Sequence, residues 1–156
     1  MTFANTGFTK KSTAEQVTEG VDLSGKTVLI TGVGLGGLGH EALRVLSMRG
    51  AHVIGLDRTL KAAQASCDAV DGQTTAFECD LSDPDSIVAC TDAITKQVKS
   101  IDVLLTNAGV MSPPKTVVHK YTEPLELQFA VNFLGHFTAD CQCFIVTDGL
   151  AVHKHA

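Results

Sequence analysis

At 156 residues, the chain has the length of one domain with a core of its own. Its 44% hydrophobic and 19% charged content is ordinary for a globular protein. A net charge of −5 without a basic cluster argues against nucleic acid or an anionic membrane as partner, no apolar run reaches the length of a membrane span, and the start lacks the charged and apolar regions of a signal peptide.

Residues 1–21 form a polar lead segment. Ser12-Thr13-Ala14-Glu15 reads as a capping box and predicts a short helix from Thr13 to about Glu19, ended by Gly20. Leu23-Ser24-Gly25-Lys26 turns into a first strand, Lys26 to Thr31. The turn Thr31-Gly32-Val33-Gly34-Leu35-Gly36-Gly37-Leu38-Gly39 follows. After it comes a helix from about Gly37 to Met48, with Leu38, Ala42, Val45 and Leu46 on one face and Gly50 closing it. Strand, glycine turn and helix offer bare N–H groups and a helix N-terminus to a phosphate. A flexible loop or a helix cap is the plainer reading of the same glycines. The lysine followed by Ser or Thr that a P-loop requires is absent.

His52 to Asp57 is a second strand, and it ends in an acid. Asp57 lies ~20 residues beyond the glycines, where a dinucleotide fingerprint places a carboxylate for the ribose hydroxyls. A solvated strand-end carboxylate is the alternative. Arg58 follows directly, and a guanidinium there suits a 2′-phosphate. The acid favours NAD, and the arginine keeps NADP open.

A helix from Leu60 to about Val70, a turn at Asp71-Gly72 and a third strand, Thr75 to Asp80, come next. Asp83 and Pro84 suit the N-cap and first position of a helix reaching about Val98, with Ile87, Cys90, Ile94 and Val98 as its apolar stripe. Asp102 to Thr106 is a fourth strand, breaking at Asn107-Ala108-Gly109. Strands alternating with helices predict an α/β fold, a doubly wound parallel sheet in the order 3-2-1-4.

Ser112-Pro113-Pro114 forces a loop. A long helix is predicted from Thr122, its N-cap, to about Thr138. It is apolar on several faces, with Leu125, Leu127, Phe129, Ala130, Val131, Phe133, Leu134 and Phe137, the pattern of a buried helix. Asn132 in its middle needs a partner for its amide, either as a satisfied structural residue or as one that shapes a site. Residues 140–156 form a tail without helical period. Cys141, Cys143, His153 and His155 match no standard zinc spacing, and no metal is expected. Five cysteines (Cys67, Cys79, Cys90, Cys141 and Cys143) without a secretion signal read as reduced thiols of an intracellular, cytoplasmic chain.

Four motifs in order resemble the N-terminal half of a short-chain dehydrogenase/reductase, over about residues 22 to 138. The first is Thr31-Gly32 with Gly36-Gly37-Leu38-Gly39, one residue longer than the common Thr-Gly-x-x-x-Gly-x-Gly spacing. The second is Cys79-Asp80-Leu81. The third is Thr106-Asn107-Ala108-Gly109, similar to Asn-Asn-Ala-Gly. The fourth is Leu127-Gln128-Phe129-Ala130-Val131-Asn132-Phe133-Leu134-Gly135-His136-Phe137. The last, with the entry Asp22-Leu23-Ser24-Gly25-Lys26-Thr27, resembles the retinol-dehydrogenase-like and WW-domain-oxidoreductase-like branches.

The resemblance implies a Rossmann-like domain over residues 22–139 and hydride transfer between NAD or NADP and a small alcohol or carbonyl compound. It implies cofactor binding by Thr31, Gly32, Gly36, Gly37, Leu38, Gly39, Asp57, Arg58, Asp80, Leu81, Asn107, Ala108 and Gly109, with Cys79-Asp80-Leu81 against the adenine and Asp80 holding its amino group. It places Asn132 in a proton relay whose partners are a Ser, a Tyr and a Lys four residues after the Tyr. The chain departs from the family there. Its single tyrosine is Tyr121, Leu125 stands four residues on, and the tyrosine precedes Asn132 rather than following it. The expectation is therefore a domain truncated after the fourth strand and its following helix, with an exposed sheet edge, a large apolar patch and low solubility. Catalysis in a longer form, dinucleotide binding or partner docking without turnover, and a non-functional fragment are the three functions considered. A homo-oligomer is an open possibility of the family.

Overall fold

The computed structural model describes residues 7–111, 117–118 and 120–140. The elements in chain order are α1 (Ala14–Val17), β1 (Thr27–Thr31), α2 (Leu38–Met48), β2 (His52–Asp57), α3 (Leu60–Asp68), β3 (Thr74–Glu78), α4 (Pro84–Thr95), β4 (Val103–Leu105), β5 (Val117–Val118), β6 (Leu125–Glu126) and α5 (Leu127–Phe129). The last helix runs on through a π-helical segment, Ala130–Gly135, into helical turns over 136–140.

Four strands form a parallel sheet in the order β3-β2-β1-β4, as the alternation of strands and helices predicts. Val28 pairs with Val53 and Val103, and Ile54 pairs with Thr75. Both faces are covered at β1, and the period of two along that strand shows how. Val28 and Ile30 pack with Leu43 of α2 and with Ala63 and Cys67 of α3. Leu29, between them, faces the other way. It packs with Ile87 and Ile94 of α4 and Val131 of the last helix. The short pair β5–β6 is antiparallel and separate from the main sheet.

Caps start the helices where the chemistry dictates. Asp83 accepts from the Asp85 N–H, with Pro84 at the first position. Thr59 caps α3, a cap that the sequence reading did not use. The capping box at α1 sits one residue later than Ser12–Glu15: Thr13 accepts from Gln16 N–H, and the Gln16 side chain accepts from Thr13 N–H. The helix ends at Val17 rather than Glu19. This register frees Glu15 to pair with Arg44 of α2, while the Arg49 guanidinium takes the Glu15 carbonyl.

Two other expectations are corrected. Leu38 is 85% exposed, and Leu43 takes the central buried position on α2. The long helix begins at Leu127, not Thr122, because Glu126 caps it by accepting from Gln128 and Phe129 N–H, while Leu125 and Glu126 belong to a strand. Nor is that helix buried all round: Phe129, Phe133 and Phe137 are exposed, and only one face, with Ala130, Val131, Gly135, His136 and Ala139, packs inward. β4 stands at a sheet edge with Val103 and Leu105 exposed, as expected. Cys67, Cys79 and Cys90 are buried and form no disulfide. Residues 1–6, Ser112-Pro113-Pro114 and the tail from Cys141, with Cys143, His153 and His155, lie outside the described residues. No helix among the described residues is long and apolar enough to cross a membrane.

Candidate functional site

A cavity of about 530 Å³ opens at the carboxyl ends of β1, β2, β3 and β4, where doubly wound sheets gather their ligands. Its floor is the turn after β1. Gly32 has φ +73, and a Cβ there would also lie 2.8 Å from Ala108 Cα, so both conformation and space require glycine. Gly32 and Val33 N–H both reach the Leu56 carbonyl, which ties the turn to β2. The N-terminus of α2 differs from those of the other described helices. Thr13, Thr59, Asp83 and Glu126 cap theirs with side chains, whereas Gly37 supplies no side-chain cap. The first N–H groups of α2 are left for an external acceptor, an anion above all. Gly37 and Leu38 line the cavity there, and this is why Leu38 is exposed.

Asp57 and Arg58 form the rim at the end of β2. Asp57 Oδ1 accepts from Arg58 N–H at 2.8 Å. Asp57 Oδ2 faces the glycine turn, 3.3 Å from where a Cβ on Gly34 would sit. Beyond them Cys79, Asp80, Leu81 and Ser82 form the next wall. Asp80 Oδ1 accepts from both the N–H (2.9 Å) and the hydroxyl (2.7 Å) of Ser82, which fixes that bend. The Cys79 thiol is hydrogen-bonded to Cys90, which lowers it below the ordinary thiol range against the opposing effect of burial.

The fourth wall is Asn107-Ala108-Gly109-Val110, after β4. Asn107 Nδ2 donates to the carbonyls of Thr31 and Gly32, each at 3.0 Å. The Thr31 hydroxyl accepts from the N–H of Asn107 and of Ala108, each at 3.0 Å, and touches His136 Nε2 at 2.9 Å. Asn132 clamps the far end of this segment. Its Oδ1 accepts from Val110 N–H at 2.8 Å and its Nδ2 donates to Val110 O at 2.9 Å. The amide that needed a partner has found a backbone one on both sides.

Most of the sequence-predicted residues thus meet in one place. Thr31, Gly32, Gly37, Leu38, Asp57, Arg58, Asp80, Leu81, Asn107, Ala108 and Gly109 line the cavity, and so does Cys79 of the second motif. Gly36, Gly39 and Asn132 do not: Gly39 packs beneath the turn, and Asn132 stands behind the segment it clamps. Sequence reasoning missed Gly34, Leu56, Ser82, Val110, Leu127 and Val131 as lining residues. Ser82 carried a readable signal, an Asp-x-Ser spacing suited to an Asx turn. His136 lay in a quoted motif without an assigned role. Tyr121 is not in the cavity lining. Burial, and the facing carboxylates of Asp80 and Asp83, push its phenol above the ordinary value.

A family model described as short chain dehydrogenase matches residues 26–145. "Short-chain dehydrogenase TIC 32 A, chloroplastic" of Brassica napus is 38% identical over 136 residues, covering 84% of this chain and 41% of the relative. "Retinol dehydrogenase 12" of Mus musculus is 38% identical over 125 residues, covering 77% of this chain and 38% of the relative. Among solved structures, a short-chain type dehydrogenase/reductase from Mycobacterium marinum superposes with a TM-score of 0.65 at 30% identity, covering 80% of this chain and 51% of that one. The chain spans about two-fifths of the length of these curated relatives.

Proposed function

Because this chain belongs to the short-chain dehydrogenase family, we propose that its cleft holds a nicotinamide dinucleotide, NAD in preference to NADP. The observation that carries the reading is a junction. The uncapped N-terminus of α2, the Asp57 carboxylate and the segment Asn107–Gly109 all border one cavity. The chain's own groups suit the ligand's parts in turn. The first N–H groups of α2 receive the pyrophosphate. Asp57 accepts from the ribose hydroxyls and repels a 2′-phosphate, while Asp80 and Leu81 flank the adenine. Arg58 is exposed beside Asp57, and the specific alternative, NADP, rests on that guanidinium.

The dinucleotide, when bound, supplies the hydride chemistry. The residues described here bind and orient it. Asn132 acts as a positioning residue, since both halves of its amide are committed to Val110. Tyr121 does not serve as the general acid/base. A catalytic phenol needs a lowered pKa, and its surroundings raise this one. Hydride transfer to or from an alcohol or carbonyl compound is the activity we propose for the whole protein. For these 156 residues, which contain no Tyr-x-x-x-Lys, the function is dinucleotide binding without turnover.

Titration with NADH and with NADPH tests the reading. The chain has no tryptophan, so the fluorescence of the reduced nicotinamide itself is the signal. Saturable binding with NADH tighter than NADPH is the expected result. Tighter NADPH binding transfers the assignment to Arg58, and no binding of either overturns it.

A further inference from the structure

We infer that His136 is the hydrogen-bond acceptor that orients the Thr31 hydroxyl and, through it, holds the turn Asn107–Gly109 in the shape that lines the cleft. A threonine hydroxyl has one proton to give and two lone pairs to receive with. Both lone pairs of Thr31 are taken by N–H donors whose polarity is fixed, those of Asn107 and Ala108, each 3.0 Å away. The remaining contact, His136 Nε2 at 2.9 Å, must therefore receive the hydroxyl proton. The imidazole then carries its own proton on Nδ1, which faces the Asn132 carbonyl oxygen at 3.4 Å. Thr31 is 2% exposed and His136 is 7% exposed, so water does not replace either partner.

The arrangement gives the last helix two grips on one segment. His136 reaches Asn107 and Ala108 through Thr31, and Asn132, one turn earlier, holds Val110 directly. Gly135 lets the helix come close enough. A Cβ there would lie 2.2 Å from the Leu81 carbonyl oxygen. If residue 136 offered no acceptor, the Thr31 proton would be buried and unpaired. The hydroxyl would have to turn it against one of the two N–H groups, which releases the turn at Ala108, since Asn107 N–H keeps the Leu105 carbonyl at 3.0 Å. The consequence for ligand affinity rests on the dinucleotide reading above; the hydrogen-bond assignment does not.

The test uses the full chain labelled with ¹⁵N-histidine. Long-range proton–nitrogen correlation reads the tautomer of His136, assigned by the signal that disappears in His136→Gln. The expected result is a neutral ring with Nε2 bare and Nδ1 protonated. A proton on Nε2 overturns the inference.

Two variants supply an independent arm. His136→Gln places an amide near the Nε2 position and keeps an acceptor, whereas His136→Leu removes it. Amide exchange of Ala108 should rise about tenfold in His136→Leu, and that of Asn107, whose N–H also has the Leu105 carbonyl at 3.0 Å, by less, with Leu29 unchanged and both near the wild-type rate in His136→Gln. NADH binding should weaken about tenfold in His136→Leu and by less than about threefold in His136→Gln. Unchanged exchange at Ala108 overturns the inference, as does an equal rise at Leu29, which would make the residue merely structural. If the unaltered chain binds no NADH, the dinucleotide reading alone falls, and the tautomer and exchange rates still decide the role of His136.

Discussion

Gly39 abuts the carbonyl of Gly32: a Cβ on residue 39 would lie 2.2 Å from that oxygen and 2.5 Å from Asn107 Nδ2. The first turn of α2, the glycine turn and the segment after β4 therefore share one packing point. Gly39→Ala has to push the three apart. Overpacking of this kind costs about 1–3 kcal/mol, and here it also displaces the uncapped helix end from the cleft. Stability in urea should fall by that amount, and NADH affinity should fall by at least about tenfold. Gly36 is the control. It has φ +78 but open space where a Cβ would go, so Gly36→Ala should cost only about 1 kcal/mol of backbone strain. Equal losses of affinity in the two variants would refute the packing argument.

Asp57 has one oxygen committed to Arg58 N–H and the other turned to the glycine side of the cleft. Hydrogen bonds to a charged group contribute about 1.5–3 kcal/mol each. Asp57→Ala should thus weaken NADH binding about tenfold to a hundredfold. NADPH binding should hold or improve, because a 2′-phosphate no longer meets a carboxylate and finds Arg58 nearby. Arg58→Ala should act in the opposite direction, lowering NADPH affinity and sparing NADH. Parallel fluorescence titrations of both variants check the sign.

The sheet order, the Asp83–Pro84 start of α4 and the carboxylate at the end of β2 were legible because each is local chemistry: a period of two, an N-cap, an acid at a fixed distance from glycines. What escaped the reading depends on distant partners. Ser12–Glu15 and Thr13–Gln16 both fit a capping box, and the choice falls to Arg44 and Arg49 on α2, which hold Glu15. Leu38 belongs to an apolar stripe by spacing, but the first turn of α2 faces the cleft, so Leu43 takes the core position. His136 meets Thr31 across 105 residues, a separation that no periodicity reports. The π-helical segment Ala130–Gly135, which carries the Asn132 clamp on Val110 and the close approach of Gly135 to Leu81, has no counterpart in the helical period of the sequence.

Asp102 fastens the edge strand. Its Oδ1 meets Lys26 Nζ at 2.8 Å and its Oδ2 accepts from Thr27 N–H at 2.8 Å, while Asp102 N–H returns a bond to Thr27 O. The Lys26 ammonium, and then the Thr27 N–H, hold the Asp102 carboxyl below its ordinary value of 3.8. A carboxyl depressed in the folded state adds stability that is fully present above the unfolded value. That stability disappears as pH falls below 3.8 toward the folded value. Asp102→Asn should lower the melting temperature slightly at pH 7, as expected of a solvent-screened pair. The gap from wild type should close as pH drops below that range. A gap that widened on acidification would contradict the assignment. Exchange of the β4 amides should rise more than that of β2, since β2 is paired on both sides and β4 on one.

Phe129, Phe133 and Phe137 follow one another at helical spacing on the outer face of the last helix, 48%, 59% and 58% exposed. Their rings stack in series, with centroids 5.4 Å and 6.5 Å apart. Contiguous apolar surface of this kind drives association in water. It lies opposite the face that carries Val131 and His136, so it can be altered without touching the cleft. Phe133→Lys removes the middle ring, breaks both stacks and adds like-charge repulsion between copies. The unaltered chain should show an apparent mass that grows with concentration in static light scattering, and Phe133→Lys should move it toward the monomer. NADH affinity should stay within about threefold, because Phe133 does not line the cleft. A concentration-independent monomer with a cooperative, reversible melt for the unaltered chain would show that the three rings do not govern its solubility. The stack would then contribute to the helix alone, at about 0.5–1.5 kcal/mol per ring pair.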